Sequence, residues 1–490
     1  MTTGATTAGP GATADAAAGT APAARLPTRW LILAVLCLAQ VTVVLDNTVL
    51  TVAVPVLTTE LGATTADVQW MINAYALVQS GLLLTAGSAA DRYGRRRMLL
   101  AGLVLFGLGS LAAGLAQSTG ALIAARAGMG VGGALLVTAT LAVAMQIFDA
   151  AERPRAIGVW AAASALGFAA GPPVGGIILA HLPWGAIFLV NVPIVLVCLV
   201  AGRALVPESR DPAGGGLDLG GVVLSTTGLT GVVYAIISGP DRGWSSGPVL
   251  VAAGGGVLLL AAFVGWERWV ADPMLDMRLF RDRRFVGAVC GVVLITFGAT
   301  GALFLLTQHL QFVRGYPAWE AGLRMMPFAL CIVALNLGGV AARMIRRIGS
   351  SSAIALGMAL LAGGLAVVTH APGDGYGVLL AGLLVMGTGC ALANPAIVEA
   401  VMSAIPPEKA GAGAGVDGTM TEVGSSLGIA VLGAVLNARF AALLPAALAG
   451  AGSFPAALAA ARTQADSALV SDAFRSALET GQTVGAAAVL

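Results

Sequence analysis

Long apolar runs follow one another along most of the chain, and each ends in a short polar or basic segment. About 20 apolar residues cross a bilayer core as a helix, so each run predicts one transmembrane helix. The runs cover residues 30–54, 68–90, 98–116, 120–148, 156–180, 185–203, 217–238, 248–266, 285–313, 318–342, 352–370, 376–403 and 411–437. A further run begins near Ser471, but charged residues occupy its first turns, and we expect this last span to be incomplete.

The chain contains a weak internal repeat. Residues 87–96 read GSAADRYGRR, and residues 338–347, a shift of 251, read GGVAARMIRR. Both blocks end a predicted span on the same side, which suggests the duplication from which many secondary transporters are built. We therefore predict a disordered tail over 1–27, a six-helix half over 28–206, a linker with two inserted transmembrane helices over 207–270, and a second half over 271–490.

Composition narrows the class of protein. Hydrophobic residues make up 58% of the chain and charged residues 10%, whereas soluble proteins carry about 25% charged residues. A net charge of +2 is too small to imply a nucleic-acid partner. The lone lysine, Lys409, lies outside any Gly-Lys-Ser/Thr loop, and the three histidines lie far apart. We expect no ATP-binding loop, metal or other cofactor, and a protein that is not an enzyme.

The basic residues predict an orientation. With the N-terminus in the cytoplasm, 19 of the 26 basic residues fall in cytoplasmic segments, five fall outside, and Arg126 and Arg324 fall within spans. Cytoplasmic loops of membrane proteins carry such an excess. The chain is thus predicted to cross the cytoplasmic (inner) membrane many times, starting from the cytoplasm.

The segment after the second predicted span has a motif that charge orientation alone does not explain. Its residues are Gly87, Asp91, Arg92, Gly94, Arg95 and Arg96, followed by Arg97. Asp91 lies at the membrane boundary, where a carboxylate can cap the N-terminus of a neighbouring helix or pair with an arginine. Either contact would act as a gate between the two halves of the protein and would break when the halves rock against each other.

The fifth predicted span contains closely spaced small residues and prolines. Gly167, Gly171, Pro172, Gly175 and Gly176 belong to this motif. Small residues four apart let helices touch, and proline bends a helix. We interpret this stretch as a tightly packed, bendable seam against a helix of the second half.

Charged residues inside spans mark candidate functional sites. Asp46 and Arg126 lie at similar predicted depths, so they can form either a structural salt bridge or a proton-sensitive pair. Asp417 and Glu422 lie in the thirteenth span, with Glu422 near its middle. A carboxyl group there can exchange a proton, attract a cationic substrate, or serve as a hydrogen-bonded structural group.

Together these blocks resemble the major facilitator superfamily and, within it, the fourteen-span drug:proton antiporters. The resemblance rests on Leu45-Asp46-x-Thr48 with Ala53-x-Pro55, on the loop at 87–97, on Arg126, on the fifth-span motif and on residues 187–193. It implies an all-α polytopic membrane protein of the major-facilitator fold, with two six-helix halves and two inserted helices.

The resemblance also implies a function. A proton-coupled antiporter would export hydrophobic, possibly cationic drugs or antibiotics by alternating access, with Asp46, Arg126, Asp417 and Glu422 as proton-coupling candidates. Its partners would be the small-molecule substrate, protons and the lipid bilayer, and we expect a monomer. Candidate residues of the substrate cavity are Asn73, Tyr75, Gln79, Phe297, Phe304 and Gln308. The alternatives are a transporter of another small solute, such as an amino acid or sugar, and a non-transporting membrane sensor.

Overall fold

A computed structural model describes residues 28–211, 218–270, 272–369, 376–444, 457 and 464–489. The predicted tail over 1–27 lies outside this part of the chain. The helices are α1 (Arg29–Glu60), α2 (Thr65–Tyr93), α3 (Arg95–Gly114), α4 (Thr119–Ile147), α5 (Arg153–His181), α6 (Ala186–Leu189), α7 (Asn191–Leu205), α8 (Leu219–Arg242), α9 (Gly247–Glu267), α10 (Arg283–Gln308), α11 (Ala318–Leu337), α12 (Val340–Ile348), α13 (Ser350–Thr369), α14 (Tyr376–Ser403), α15 (Ala410–Leu443) and α16 (Gln464–Val489).

Twelve helical stretches among the described residues are long and apolar enough to cross a membrane. In one of them, α6 and α7 together cover Ala186–Leu205. Of the thirteen predicted spans, twelve are thus found, and α2 is the exception. Its 29 residues form a helix, but Asn73, Gln79 and Ser80 interrupt the apolar sequence in its middle.

The last predicted helix begins earlier than its charged residues suggested. Helix α16 begins at Gln464 rather than near Ser471 and has 26 residues, but it is not among the twelve stretches apolar enough to cross a membrane, so the incomplete last span stays a prediction. It packs against α10, α13 and α15. Phe474 and Leu478 join Phe440 of α15 in one buried apolar cluster, so the charged residues of α16 occupy its other faces.

The helices form two packed groups and a hairpin. Helices α1–α7 share one apolar core, which includes Leu36, Phe106 and Phe188, and α10–α16 surround the other principal cores. The groups meet where α5 packs on α11 and where α2 packs on α15. Helices α8 and α9 pack on each other, and α8 also contacts α2 and α15. The exact domain boundaries remain predictions.

One end of the bundle carries most of the arginines, and we call it the basic end. Here the start of α1 meets the α4–α5 turn, because Arg29 Nε donates to Glu152 Oε2 at 3.0 Å. The α2–α3 turn meets the segment after α7 through Arg95 N and the carbonyl oxygen of Ser209, 2.9 Å apart. Gln146 at the end of α4 donates to the carbonyl oxygen of Pro407, before α15, at 2.6 Å. The basic end therefore brings both halves together.

Candidate functional site

Asp46 of α1 and Arg126 of α4 form an ion pair inside the first half. Arg126 Nη1 donates to Asp46 Oδ2, and the exposed fraction of each side chain is 1%. The two helices run in opposite directions, and the similar depths predicted from the sequence place the two groups side by side. The expected pairing is confirmed, while its part in proton coupling stays a prediction.

Neighbouring polar groups complete the hydrogen bonding of this pair. Asn191 at the start of α7 donates to Asp46 Oδ1 at 2.9 Å. Arg126 also donates to the carbonyl oxygen of Met71 at 3.2 Å and to Asn47 Oδ1 at 3.3 Å. Four helices thus hold one carboxylate and one guanidinium, and each charge has several partners, as burial requires.

The ring of Tyr75, on α2, packs against the guanidinium of Arg126. The guanidinium carbon of Arg126 lies 4.5 Å from the centre of the Tyr75 ring, a cation–π distance. A side chain at Gly133 of α4 would strike the Tyr75 hydroxyl. The absence of a Cβ at Gly133 therefore makes room for the ring. Tyr75 was predicted to line a substrate cavity, and in the structure it packs on the charged pair.

The sequence interpretation missed two polar members of this site. Asn191 is fully buried and lies in the 187–193 segment that carried part of the family resemblance. Asn47 directly follows Asp46. Both had a signal in the sequence, because an amide inside a span needs a partner, but nothing in the sequence indicated which helix supplied that partner.

The acidic residues of α15 have sparser surroundings. Asp417 is buried, and its Oδ1 atom has no hydrogen bond among the described residues. Glu422 is half-buried and lies within electrostatic range of Tyr75. Within the described ranges, no ion pair involves either carboxyl group. Both carboxyl groups of α15 thus lack, among the described residues, the charged partner that Asp46 has in Arg126.

At the basic end, Asp91 caps a helix of the opposite half. Its Oδ1 and Oδ2 atoms accept from the backbone N–H groups of Gly411 and Ala412, each at 2.8 Å. These residues belong to the first turn of α15, where N–H groups lack partners within the helix and a negative charge is favoured. Both contacts considered from the sequence are present, since Arg95 also donates to Asp91 Oδ1 at 2.6 Å.

Arg95 extends this cross-half contact. It is almost fully buried and donates to the carbonyl oxygens of Pro407 and Glu408, at 3.0 and 2.7 Å, just before α15 begins. We call Asp91, Arg95 and the first turn of α15 the latch. A Cβ on Gly87 would overlap the backbone of Gly411. Gly87 thus permits the close approach of α2 to α15 that the latch requires.

The other residues of the loop anchor it to neighbouring segments. Arg92 donates to the carbonyl oxygen of Asp272 at 2.8 Å. The N–H of Arg96 donates to Glu208 Oε1 at 3.1 Å. Gly94 has φ of 111°, a conformation that favours glycine, at the sharp turn between α2 and α3. The loop therefore contacts the first half, the second half and the segment after the inserted helices.

The fifth-span glycines face a different helix from the one predicted. A Cβ on Gly171 would overlap Thr48 of α1, and Cβ atoms on Gly167 and Gly175 would lie 2.9 Å from the carbonyl oxygen of Val41 and 3.1 Å from Val49 Cγ1. These three glycines therefore pack α5 on α1 within the first half, while a Cβ on Gly176 would meet no atom within 4 Å. The contact predicted between this stretch and a second-half helix is therefore not made through these three glycines.

Pro172 of the motif and Gly158 outside it lie at the second-half contact of α5. A Cβ on Gly322 of α11 would lie 3.2 Å from Pro172 Cβ, and one on Gly158 would lie 2.9 Å from Asn336 Oδ1 of α11. Helix α5 thus has two faces, one of glycines towards α1 and one towards α11. The motif combined both faces, and its spacing did not distinguish them.

The remaining candidate cavity residues are dispersed. Asn73 lies with Trp70 and Tyr234 around a cavity of about 90 Å³ between α2 and α8. Gln79 is buried near Gly133. Phe297 and Phe304 of α10 pack against the apolar cluster of α15 and α16, and Gln308 ends α10. A role for these residues in substrate contact stays a prediction.

Comparison with known proteins decides the family. The model of the Major Facilitator Superfamily matches residues 36–429, most of the chain. The chain belongs to this superfamily. The matched region contains the Asp46–Arg126 pair, the latch, both inserted helices and the acidic residues of α15.

Several characterised superfamily members are similar in sequence. The multidrug efflux pump LfrA of Mycolicibacterium smegmatis is 36% identical over 86% of this chain and 84% of its own. The methyl viologen resistance protein SmvA of Salmonella typhimurium is 37% identical over 86% of this chain and 85% of its own. The tetracenomycin C resistance and export protein of Streptomyces glaucescens is 32% identical, covering 86% and 79%.

Solved structures agree on the major-facilitator fold. The human organic anion transporter MFSD10 superposes with a TM-score of 0.62 at 16% identity, covering 95% of this chain and 100% of its own. The proton:xylose symporter XylE superposes with a TM-score of 0.57 at 15% identity, covering 82% and 87%. This all-α fold has twelve apolar spans in the part of the chain that the structure describes. The superfamily match and the sequence relatives make the chain a multi-pass membrane transporter.

Proposed function

We propose that this transporter exports hydrophobic small molecules, including drugs and antibiotics, in exchange for protons. The observation that carries the proposal is the Asp46–Arg126 pair, two charges enclosed among membrane helices. Charged groups inside spans mark ion and proton pathways, and the relatives LfrA, SmvA and the tetracenomycin C protein are named for drug efflux, resistance and export.

The basic end faces the cytoplasm in this proposal, and the N-terminus lies on the same side of the inner membrane. The arginines support it, because positively charged loops remain on the cytoplasmic side. Arg29, Arg95 and Arg96 all lie at this end. The latch would then close the cytoplasmic side of the substrate pathway.

Proton coupling divides between the halves. Protonation of Asp46 would remove the charge that Arg126 Nη1 contacts and leave the guanidinium with its neutral partners, Asn47 and the carbonyl oxygen of Met71. Glu422, without an ion pair among the described residues, is available to a proton or a cationic substrate. Asp417, buried on the same helix, is a second candidate for proton binding.

Alternating access would use the contacts between the halves. Opening the basic end requires Asp91 to release the N–H groups of Gly411 and Ala412, while Arg95 leaves the carbonyl oxygens before α15. The contact between Pro172 of α5 and Gly322 of α11 can act as the pivot, because it joins the halves towards the end of the bundle opposite the latch. One chain contains both halves, so we propose that a monomer transports.

The test is transport into inside-out membrane vesicles with an imposed pH gradient in which the vesicle interior is acidic. A cationic and a neutral lipophilic dye would be followed by fluorescence, at matched expression of the wild-type protein and Asp46→Asn. Asp472→Asn is a matched control, because Asp472 is largely exposed on α16. We expect gradient-driven uptake by the wild type and the control only. Failure of the wild type to move any dye, with gradient-driven movement of a sugar or amino acid instead, would reject drug export.

A further inference from the structure

A cavity lies between the inserted helices and the two halves. Its volume is about 290 Å³, and it is enclosed by α2, α8, α9, α10, α15 and the helical turn Met277–Arg281. Leu84 of α2, Val264 of α9 and Val416 of α15 are among the lining residues. The cavity is separate from the Asp46–Arg126 pair, whose residues do not line it.

The walls of this cavity favour a hydrocarbon. Apart from Thr419 and Arg268, every lining side chain is apolar. A polar solute would lose its hydration there without gaining hydrogen bonds, which is costly. An acyl chain would instead bury apolar surface, and each buried methylene contributes about 0.8 kcal/mol.

Arg268 gives the cavity a charged rim. It follows the last residue of α9, is exposed, and has no ion pair among the described residues. Its neighbour Glu267 is buried, and Glu267 Oε2 accepts from the backbone N–H of Leu275 at 3.1 Å. Glu267 forms no ion pair with Arg268 among the described residues, so Arg268 remains available to an anion.

Two exposed tryptophans place this rim at the depth of lipid headgroups. Trp266 and Trp269 flank Arg268 and are 46% and 92% exposed. Tryptophan is enriched where a membrane meets water, with its ring at headgroup level. Both flank an arginine at the basic end. One phospholipid molecule can therefore place its phosphate at this arginine and its acyl chain in the cavity.

We propose that this cavity binds an anionic phospholipid from the leaflet at the basic end. One acyl chain occupies the space lined by Leu84, Val264 and Val416, and the phosphate pairs with Arg268. Leu84 lies two turns before Asp91 on α2, and Val416 lies one turn after Ala412 on α15. The acyl chain therefore lies against both helices that the latch joins, beside their close contact, and it stabilises that contact.

Native mass spectrometry of the delipidated, full-length protein tests this inference. The probes are palmitoyl-oleoyl phosphatidylglycerol and the phosphatidylcholine with the same chains. We expect the wild type to bind phosphatidylglycerol more tightly, and Arg268→Gln to lower that affinity about fivefold, since one arginine near an anionic surface contributes about 1 kcal/mol. Arg284→Gln is the matched control, because Arg284 is exposed at the same end and does not line the cavity.

A second pair of variants tests the acyl-chain part. Val264→Phe narrows the cavity and should weaken the binding of phosphatidylglycerol together with its stabilisation against heat. Val251→Phe adds the same volume on the same helix at a position that is 75% exposed, and it should change neither. Soluble glycerol phosphate should not compete, because it lacks the chain.

Three results would overturn the proposal. The first is equal affinity of the wild type for the two lipids, and the second is an equal loss of affinity in Arg268→Gln and Arg284→Gln. The third is a loss of the binding of a lipophilic dye, without a loss of lipid binding, in Val264→Phe, which would assign the cavity to substrate. None of these readouts depends on transport, so the result stands apart from the test of the proposed function.

Discussion

The carboxyl groups inside the two halves of this transporter differ in their hydrogen-bond and ion-pair partners. In the first half, Asp46 contacts the guanidinium of Arg126 and accepts from the amide of Asn191. In the second half, Asp417 has an oxygen without a hydrogen bond among the described residues, and Glu422 has no ion pair there. A buried charge needs a partner. Among the described residues, the first half supplies one for its carboxylate and the second half does not.

The repeated loop shows the same asymmetry. The shift of 251 places Ala342 opposite Asp91 and Arg343 opposite Arg92. Arg343 donates to the carbonyl oxygens of Gly338 and Gly339, at 3.1 and 3.2 Å, at the start of its own helix. The second loop thus keeps its basic character without the capping carboxylate, and the latch belongs to one side of the molecule. Duplicated segments in one fold need not keep one role.

The largest effect is expected when the paired carboxylate of the first half is removed. Asp46→Asn leaves Arg126 as a buried charge without its ionic partner, a change that costs roughly 3–5 kcal/mol in buried pairs. We expect gradient-driven efflux to fall at least roughly 100-fold for both cationic and neutral substrates. Vesicle transport at matched expression measures it. Efflux that survives would remove Asp46 from coupling.

Displacing the pair without changing its charges should have the next largest effect. Gly171→Val overlaps Thr48, two residues after Asp46, and pushes α1 away from α5. Overpacking of this kind costs about 1–3 kcal/mol, so we expect transport to fall roughly tenfold. Gly176→Val is the matched control, because a Cβ there meets no atom within 4 Å. Equal transport losses would show that the α1–α5 contact is not what positions Asp46.

The second-half carboxyl group should distinguish substrates. Glu422→Gln removes a charge that no described arginine compensates, so we expect efflux of a cationic dye to fall about tenfold, or roughly 1.4 kcal/mol. Efflux of a neutral dye should change by less than about twofold. Glu479→Gln, at an exposed position of α16, controls for the substitution itself. An equal loss for both dyes would argue against charge recognition by Glu422.

The latch should affect conformational change more than binding. Asp91→Asn replaces one of the two accepting oxygens and weakens contacts that typically contribute about 1–3 kcal/mol. We expect turnover to fall about fivefold, with equilibrium binding of substrate largely unchanged. Arg97→Gln, at a largely exposed position of the same loop, is the control. A loss of affinity with unchanged turnover would contradict the latch.

The smallest effect should come from the buried carboxyl group that lacks a charged partner. Asp417→Asn preserves shape and removes a charge that is costly to bury. We expect the melting temperature to stay the same or rise by a few degrees, about 1 kcal/mol or less, whereas Asp46→Asn should lower it. Thermal unfolding of the purified variants compares them. A similar fall for both would mean that Asp417 has a strong stabilising interaction.

Much of this architecture could be predicted from local properties of the sequence. The spacing of apolar residues gave the helices, because a bilayer core requires about 20 of them. The depths of Asp46 and Arg126 followed from the rise per residue in an α-helix, and a span permits such charges only when they meet partners. The same reasoning placed the start of α16 near Ser471 rather than at Gln464, because its charges lie on the faces away from the cluster around Phe474.

Tertiary structure alone decided which partners meet. The sequence marked Asp91 as a cap, but the packing of α2 on α15 chose the first turn of the opposite half. The glycine motif predicted a close helix contact, but the orientation of α5 about its own axis decides that Gly171 faces α1 and Pro172 faces α11. Tyr75 likewise became a neighbour of Arg126. Composition and periodicity specify how a segment meets lipid or protein, whereas the choice of neighbour depends on contacts between residues far apart in the chain.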